Sequence, residues 1–207
     1  MLLFEDLFIL ALDEEKGEIV ETVTTALERI LPGAILAELA LGKRIVLVEE
    51  RLHVVDQTPL ENPVLDKALF DIVDTPKPRK VRYWINNLIY QRCGEFAAQE
   101  LVEKGILVRR KKHLHLALPE DAPEGAPSLK YFLKNRLRAV IFTGQEPDPS
   151  ERILLAFLYH GDILKLIYTH GERKAAHKHV KKLVEFEEGG LRFDELIDHL
   201  IAICCEA

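Results

Sequence analysis

The chain has 207 residues, of which 48% are hydrophobic and 30% are charged, and its formal net charge is −6. This length and composition predict one globular domain over residues 1–207, and they exclude a disordered or fibrous protein. No apolar run reaches the roughly 18–20 residues that a membrane-spanning helix needs, so we expect any membrane contact to be peripheral.

The N-terminal segment and the cysteines bear on cellular location. The apolar start "MLLFEDLFIL" carries Glu5 and Asp6 and lacks a basic leader, so it predicts a helix of the fold and not a secretion signal. Cys93, Cys204 and Cys205 follow no disulfide or metal-binding pattern. Scattered thiols of this kind favour a reducing, cytoplasmic location.

Apolar residues recur at spacings of three and four along most of the chain, which predicts a mainly α-helical fold. The predicted helices cover about residues 2–12, 18–30, 33–41, 61–73, 79–90, 93–104, 128–142, 149–159, 162–169, 173–186 and 192–204. Prolines punctuate the connections, and "PEDAPEGAPS" at 119–128 is predicted to be a loop.

Two short alternating stretches predict β-hairpins. Each lies in a unit that runs helix, glycine, strand, charged turn, strand, loop and helix, over residues 37–69 and 98–133. Gly42 and Gly105 lie near helix ends, where we expect a positive φ. A helix followed by a β-wing is also how winged-helix modules are built, so nucleic-acid binding is one interpretation to test.

Basic residues are concentrated in the middle of the chain. Residues 79–138 hold 13 Lys and Arg against 6 Asp and Glu, a distribution that favours an anionic partner. The stretch "KPRKVRYW" places Trp84 beside several cations, which is typical of either an interfacial or a core tryptophan. The overall charge of −6 makes nucleic acid an unlikely partner.

Catalytic and metal-binding motifs give little support for an enzyme. The sequence lacks the motifs of serine hydrolases, nucleotide-binding loops and zinc proteases. His113 and His115 would share a strand face, but no third metal ligand is evident. We therefore predict a non-enzymatic protein with no catalytic residues, no metal and no cofactor.

Several segments, taken in order, resemble the Golgi phosphoprotein 3 family along nearly the whole chain. They are "LFEDLFILALDEEKGEI", "ILAELALGKRIVL", "VLDKAL", "VRYWINNL", "AAQELVEKGILV", "KNRLRAVI" and "PDPSERILLAFLY". The resemblance implies a compact helical domain and a non-enzymatic adaptor on the cytosolic face of a membrane. Members of the family bind phosphatidylinositol 4-phosphate and link client membrane proteins to vesicle sorting.

The family's headgroup pocket is formed by a tryptophan and several arginines, which this chain does not reproduce. The matching positions are Val23, Pro32, Gln91 and Gly94. Trp84 matches a different family tryptophan, one inside a helix, which favours its interpretation as a core residue. Because phosphate is best bound by charge-assisted donors, we expect substitute headgroup-binding cations at Arg29, Lys80, Arg82 and Arg92.

The hairpin at about 106–118 matches the family's hairpin, which supports self-association and membrane contact. We therefore expect such a role for Arg109, Arg110, Lys111, Lys112, Leu114 and Leu116. Two alternatives to a lipid-binding adaptor stay open. One is a helical protein–protein scaffold without specific lipid binding, and the other is a winged-helix-like nucleic-acid module.

Overall fold

Helices dominate the computed structural model, which describes residues 1–118, 126–184 and 195–205. The helices of these residues are α1 (Leu3–Ala11), α2 (Thr24–Leu41), α3 (Pro63–Asp74), α4 (Val81–Tyr90), α5 (Cys93–Glu103), α6 (Leu129–Thr143), α7 (Pro149–His160), α8 (Arg173–Val184) and α9 (Glu195–Cys205). Their strands form antiparallel hairpins that pair β1 (Leu12–Asp13) with β2 (Glu18–Ile19), β3 (Ile45–Val48) with β4 (Arg51–Val54), and β5 (Leu107–Arg110) with β6 (His113–Leu116). The prediction of a compact, mainly α-helical fold with short hairpins is confirmed.

Helix α2 lies at the centre of the fold because its middle is apolar on every side. All residues from Ile30 to Ala37 are buried, a pattern typical of a helix surrounded by other elements. Helices α1, α3, α4, α5 and α9 pack against it. Gly33 allows α9 to approach α2 closely, since a Cβ there would lie 2.5 Å from the Sγ atom of Cys204.

Helix α1 carries two acidic side chains into the interior, where basic residues pair with them. Glu5 is 2.6 Å from the Nζ atom of Lys104, and Asp6 is 3.2 Å from Arg136. Arg136 also contacts Glu151 at 2.8 Å. Buried charges are tolerated only when they are paired in this way, so these contacts tie α1 to α5, α6 and α7.

Asp6 is the most perturbed of these carboxyl groups. Burial raises the pKa of Asp6 to about 6, because desolvation outweighs the attraction of Arg136. The Oδ1 atom of Asp6 has no hydrogen-bond partner among the described residues. The charged form of Asp6 is therefore held in the fold at a cost in stability.

The β5–β6 hairpin is held against the β1–β2 turn at Gly17. The amide of Leu114 donates a hydrogen bond to the carbonyl of Gly17 at 2.8 Å, and Gly17 has a φ of +68°. A Cβ at this position would lie 2.8 Å from the Cβ of His113. Both the backbone conformation and the close approach therefore require glycine.

The helices predicted over 18–30 and 33–41 are in fact one helix, α2, and this prediction was wrong. Helix α2 begins at Thr24 and continues through Pro32, after β2 and a short 3₁₀ turn at Glu21–Val23. A proline removes one backbone hydrogen bond and normally ends or kinks a helix. Here the helices packed around Pro32 stabilise the turn that contains it.

The helix predicted over 162–169 was also wrong, because this segment contains only a 3₁₀ turn at Leu164–Leu166. Asp162 has a φ of +53°, which interrupts the helical backbone directly after α7. Residues 119–125 of the predicted loop, and residues 185–186 and 192–194 of the last two predicted helices, lie outside the described residues.

The repeated order of helix, hairpin and helix is confirmed in α2–β3–β4–α3 and in α5–β5–β6–α6. Gly105 has the expected positive φ of +68°, but Gly42 has a φ of −70°. The amide of Gly42 still donates to the carbonyl of Glu38, so the helical backbone includes Gly42. The chain reversal falls one residue later, at Lys43, whose φ is +57°.

Replacing Asp6 with Asn should make the free energy of unfolding less dependent on pH. The pKa of Asp6 is raised from 3.8 to about 6, so the folded protein binds this proton more tightly than the unfolded chain and loses stability as pH rises between those values. As pH rises through that range, the free energy of unfolding of Asp6→Asn should therefore increase by about 3 kcal/mol relative to that of the native protein. Urea unfolding from pH 3.5 to pH 7.5 measures it.

An exposed aspartate provides a control of opposite sign. Hydrogen bonds from Thr58 lower the pKa of Asp56, so Asp56 contributes stability that is lost as pH falls. The variant Asp56→Asn should therefore become less stable relative to the native protein as pH rises. A stability difference for Asp6→Asn that does not change with pH would contradict the assigned shift.

Replacing Gly17 with Ala should destabilise the protein by roughly 1–3 kcal/mol, because the position combines a positive φ with a backbone contact. Hydrogen exchange of the β5–β6 amides should accelerate more than exchange in α2. Gly171→Ala is the matched control, since no atom lies within 4 Å of a Cβ built there. Equal stabilities of the two variants would show that Gly17 does not anchor the hairpin.

Candidate functional site

A groove of about 1060 Å³ runs between α2, the start of α5 and the β5–β6 hairpin. Its apolar wall residues include Phe8, Leu27, Leu31, Ala98 and Leu114. Its charged side chains are Glu28, Arg92, Glu95 and Arg109. The groove therefore has an apolar floor and charges of both signs, and we refer to it below as the groove.

Helical spacing explains which part of α2 faces the groove. Thr24, Leu27, Glu28 and Leu31 line it, and these positions share one face of a helix. Arg29 is rotated by about 100° from Glu28. It lies towards α9, where its charge favours the thiolate forms of Cys204 and Cys205. Arg29 is therefore not among the residues that line the groove.

Arg92 lies where the chain turns from α4 into α5. Its backbone is left-handed, with a φ of +57°, and the amide of Arg92 donates to the carbonyl of Ile89 at 2.9 Å. Six other non-glycine residues of the described chain share a positive φ, all in turns. The Arg92 guanidinium contacts Glu95 at 3.1 Å, and the Arg92 side chain is 74% exposed.

The hairpin contributes Arg109 and Leu114 to the opposite wall. These two residues face each other across the strands, as do Leu107 and Leu116. Leu107 is buried, and Leu114 and Leu116 are partly buried against the core. The leucine face therefore packs inwards, and the role expected for Leu114 and Leu116 in self-association and membrane contact stays a prediction. The exposed apolar residue of the outer face is Val108.

The remaining cations of the hairpin lie outside the groove lining. Arg110 ends β5, and Lys111 and Lys112 form the turn, where all three are exposed. Lys111 has a φ of +58°. The structure therefore divides the predicted basic run, with Arg109 in the groove and the other three at the hairpin tip.

Lys80 and Arg82 lie at the other end of α4 from Arg92. Lys80 precedes the helix and contacts Glu50 at 2.7 Å, while Arg82 is exposed in its first turn. The ten residues of α4 span about 15 Å. Of the four cations expected to substitute for the family pocket, the structure therefore brings only Arg92 to the groove.

The positions that match the family pocket fall in or beside the groove. Gln91 and Gly94 line it. Val23 is buried directly before α2, and Pro32 is buried in α2 next to Leu31. Two of the four matching positions thus line the groove, and none of the four side chains brings a charge to it.

Trp84 is a core residue, as we expected from its match to a family tryptophan that lies inside a helix. It is 2% exposed and belongs to the inward stripe of α4 with Val81, Ile85 and Leu88. Its Nε1 atom has no hydrogen-bond partner among the described residues. The interfacial interpretation of Trp84 was therefore wrong, because the indole ring cannot reach a membrane surface without unfolding α4.

The groove contains charged residues that the sequence did not single out. Glu28 and Glu95 oppose Arg92 and Arg109 there, so these four charges balance. Helical spacing from Leu27 and Leu31 places Glu28 near the groove, and the i, i+3 spacing from Arg92 indicates Glu95. An exposed pair such as Arg92–Glu95 contributes little to stability, because water screens it, and its arginine can change partner readily.

A second concavity of about 340 Å³ lies between α3, α4 and α5. Its lining is mainly apolar, with Val64, Ala68, Leu88 and Phe96 among its residues. Phe96 and Gln91 also line the groove, so the two spaces adjoin. This concavity suits an apolar ligand group better than a phosphate.

The cysteines offer no activated nucleophile. Burial raises the pKa of Cys93 to about 12 and that of Cys205 to about 11, and it also raises the pKa of Cys204. All three groups are therefore protonated thiols near neutral pH, in which form sulfur is a poor nucleophile and metal ligand. Among the described residues, no three His, Cys, Asp or Glu side chains come together as a metal site.

None of the helices in the described part of the chain is both long and apolar enough to cross a membrane.

Comparison with known proteins identifies the family. No curated protein matches the sequence significantly. The family model for Golgi phosphoprotein 3 (GPP34) matches residues 3–200, which is nearly the whole chain. The chain therefore belongs to the Golgi phosphoprotein 3 family.

Proposed function

We propose that this protein is a non-enzymatic adaptor that binds the cytoplasmic face of an anionic membrane reversibly and recruits client membrane proteins to it. The observation that carries the proposal is that Arg92 and Arg109, from two different elements, line one groove. The groove also contains the positions Gln91 and Gly94, which match the family's headgroup pocket. Family membership supports the adaptor role.

Two arginines across a groove are suited to a phosphate group. Each guanidinium is planar and presents paired N–H donors that match the oxygens of a phosphate. Arg92 and Arg109 come from different elements, a helix junction and a strand, and both are exposed. A lipid phosphate entering the groove mouth would receive donors from both sides.

The two carboxylates of the groove restrict how strongly it can bind an anion. Glu28 and Glu95 are exposed beside the arginines, and each would repel a phosphate. Specific recognition of phosphatidylinositol 4-phosphate needs further donors for the inositol phosphate, which the four balanced charges do not supply. We therefore propose weak, salt-sensitive binding to anionic headgroups, with little preference for one phosphoinositide.

The cations outside the groove would act at longer range. Lys80, Arg82 and the hairpin-tip residues Arg110, Lys111 and Lys112 are exposed. Each would contribute less than the roughly 1 kcal/mol of a cation at the membrane surface, because the attraction falls off within a Debye length. Arg29 faces α9 and has no direct part in this contact. The outer face of the hairpin, with exposed Val108, is a candidate surface for self-association through β5.

A protein–protein scaffold without lipid binding is the second candidate function. The observation in its favour is the apolar concavity beside the groove, which suits an apolar side chain of a partner. The near-neutral groove also fits this alternative. The nucleic-acid alternative is less well supported, because the net charge of −6 disfavours an anionic polymer as a partner.

Charge reversal at Arg92 should lower retention on anionic vesicles roughly 30-fold, since it replaces an attraction of about 1 kcal/mol with a repulsion of similar size. Sedimentation with vesicles of phosphatidylcholine mixed with phosphatidylserine or phosphatidylinositol 4-phosphate measures it. Arg109→Glu should have a similar effect. Arg82→Glu is the matched control with the same charge change at the other end of α4, and it should lower retention less.

Two further variants separate charge from folding. Arg92→Gly removes the guanidinium and relieves the left-handed backbone, so it should lower retention while keeping or raising the midpoint of thermal unfolding. Glu95→Gln removes the competing carboxylate and should raise retention.

Equal retention of the native protein on neutral and anionic vesicles at low salt would exclude the proposal and leave the scaffold function. Binding to duplex DNA with a steep salt dependence would favour the nucleic-acid alternative.

A further inference from the structure

Three of the exposed large apolar side chains lie where α4 meets α5. Ile89 is 36% exposed, Tyr90 88% and Phe96 50%. Ile89, Arg92 and Phe96 line the groove, and Tyr90 follows Ile89 at the end of α4. We call these four residues the α4–α5 tip. Exposed apolar groups clustered in this way mark interaction surfaces more often than single ones do.

The core does not account for these residues. The inward stripe of α4 consists of Val81, Trp84, Ile85 and Leu88, and all four are buried. Tyr90 lies beyond this stripe at the last position of the helix. Its removal would therefore leave the packing of α4 unchanged.

The chain passes from α4 into α5 through a short turn at Gln91 and Arg92. The amide of Arg92 donates to the carbonyl of Ile89, and the amide of Glu95 donates to the carbonyl of Arg92 at 2.8 Å. The left-handed Arg92 completes this turn. Ile89 and Phe96 consequently line the groove, whose mouth also holds Arg109.

The chemistry of the tip fits the boundary between lipid headgroups and acyl chains. A tyrosine places its ring at that depth while its hydroxyl stays hydrated, and arginine keeps its charge among the phosphates. A second protein chain fits less well. At about 200 Å² for a whole aromatic residue, the three partly exposed side chains offer roughly 350 Å². A stable interface needs about 800 Å² per partner.

We infer that the α4–α5 tip inserts Tyr90, with the edge of Phe96 and Ile89, into the headgroup region of an anionic bilayer, while Arg92 binds phosphate beside them. This inference rests on the proposed function, and it adds an apolar contact to the electrostatic one. Burial of the Tyr90 ring is not screened by salt. The tip therefore retains part of the membrane affinity when the cations are screened.

Tryptophan fluorescence tests the insertion. Tyr90→Trp in the full chain should shift its emission to shorter wavelength, and brominated phosphatidylcholine in phosphatidylserine-containing vesicles should quench it. Tyr131→Trp is the matched control, because Tyr131 is an exposed aromatic residue on α6, 54% exposed, and α6 lines neither the groove nor the second concavity. The native protein, measured in parallel, corrects for buried Trp84.

The outcomes separate this inference from the proposed function. Quenching of the introduced indole in Tyr90→Trp but not in Tyr131→Trp supports the tip. Sedimentation of Tyr90→Trp with anionic vesicles without quenching of its introduced indole overturns the tip and leaves the proposed function standing. Absence of sedimentation with every vesicle overturns both. Equal quenching in the two variants also overturns the assignment to the tip.

A second measurement uses the loss of the ring. Tyr90→Ser should lower the vesicle partition coefficient about tenfold at a salt concentration that screens the arginines. Tyr131→Ser should leave the partition coefficient unchanged. Equal partitioning of the Tyr90→Ser variant and the native protein at high salt would contradict an inserted ring, and thermal unfolding verifies that both variants fold.

Discussion

Burial of α2 on all its faces is the constraint on which the rest of the structure depends. Its apolar middle has no solvent face, so α1, α3, α4, α5 and α9 must all pack around it. Helices α4 and α5 are short, and they meet beside the first turns of α2. The groove is the space left between this junction, α2 and the hairpin. The position of the groove therefore follows from core packing and not from the charged residues that line it.

The interior of the fold also contains charge, which is unusual at this level of burial. Glu5, Asp6 and Glu151 are held by Lys104 and Arg136. Each of these basic residues bridges two helices, so the contacts specify how α1 is oriented against α5, α6 and α7. Apolar packing without these ion pairs would still bury α1, but it would allow α1 more than one orientation.

The sequence predicted the helical class, both hairpin units and the family, because these depend on local periodicity and on the order of motifs. It did not predict the passage of α2 through Pro32, which depends on the helices packed around that turn. The site was predicted less well. Arg92 was identified, but Lys80, Arg82 and Arg29 point elsewhere, because α4 separates the first two from the groove and the rotation of α2 turns the third away. Phe96 follows Arg92 by one helical turn, but Glu28 reaches the same groove only through tertiary packing.

The left-handed backbone at Arg92 has a consequence for how this position can evolve. Every arginine codon becomes a glycine codon by a single nucleotide substitution, and glycine adopts a φ of +57° without the steric conflict that a Cβ creates. Selection for folding alone gives no reason to keep arginine there. Relatives with glycine at this position would still fold. The presence of arginine or glycine there would therefore indicate whether binding to an anionic partner is still under selection.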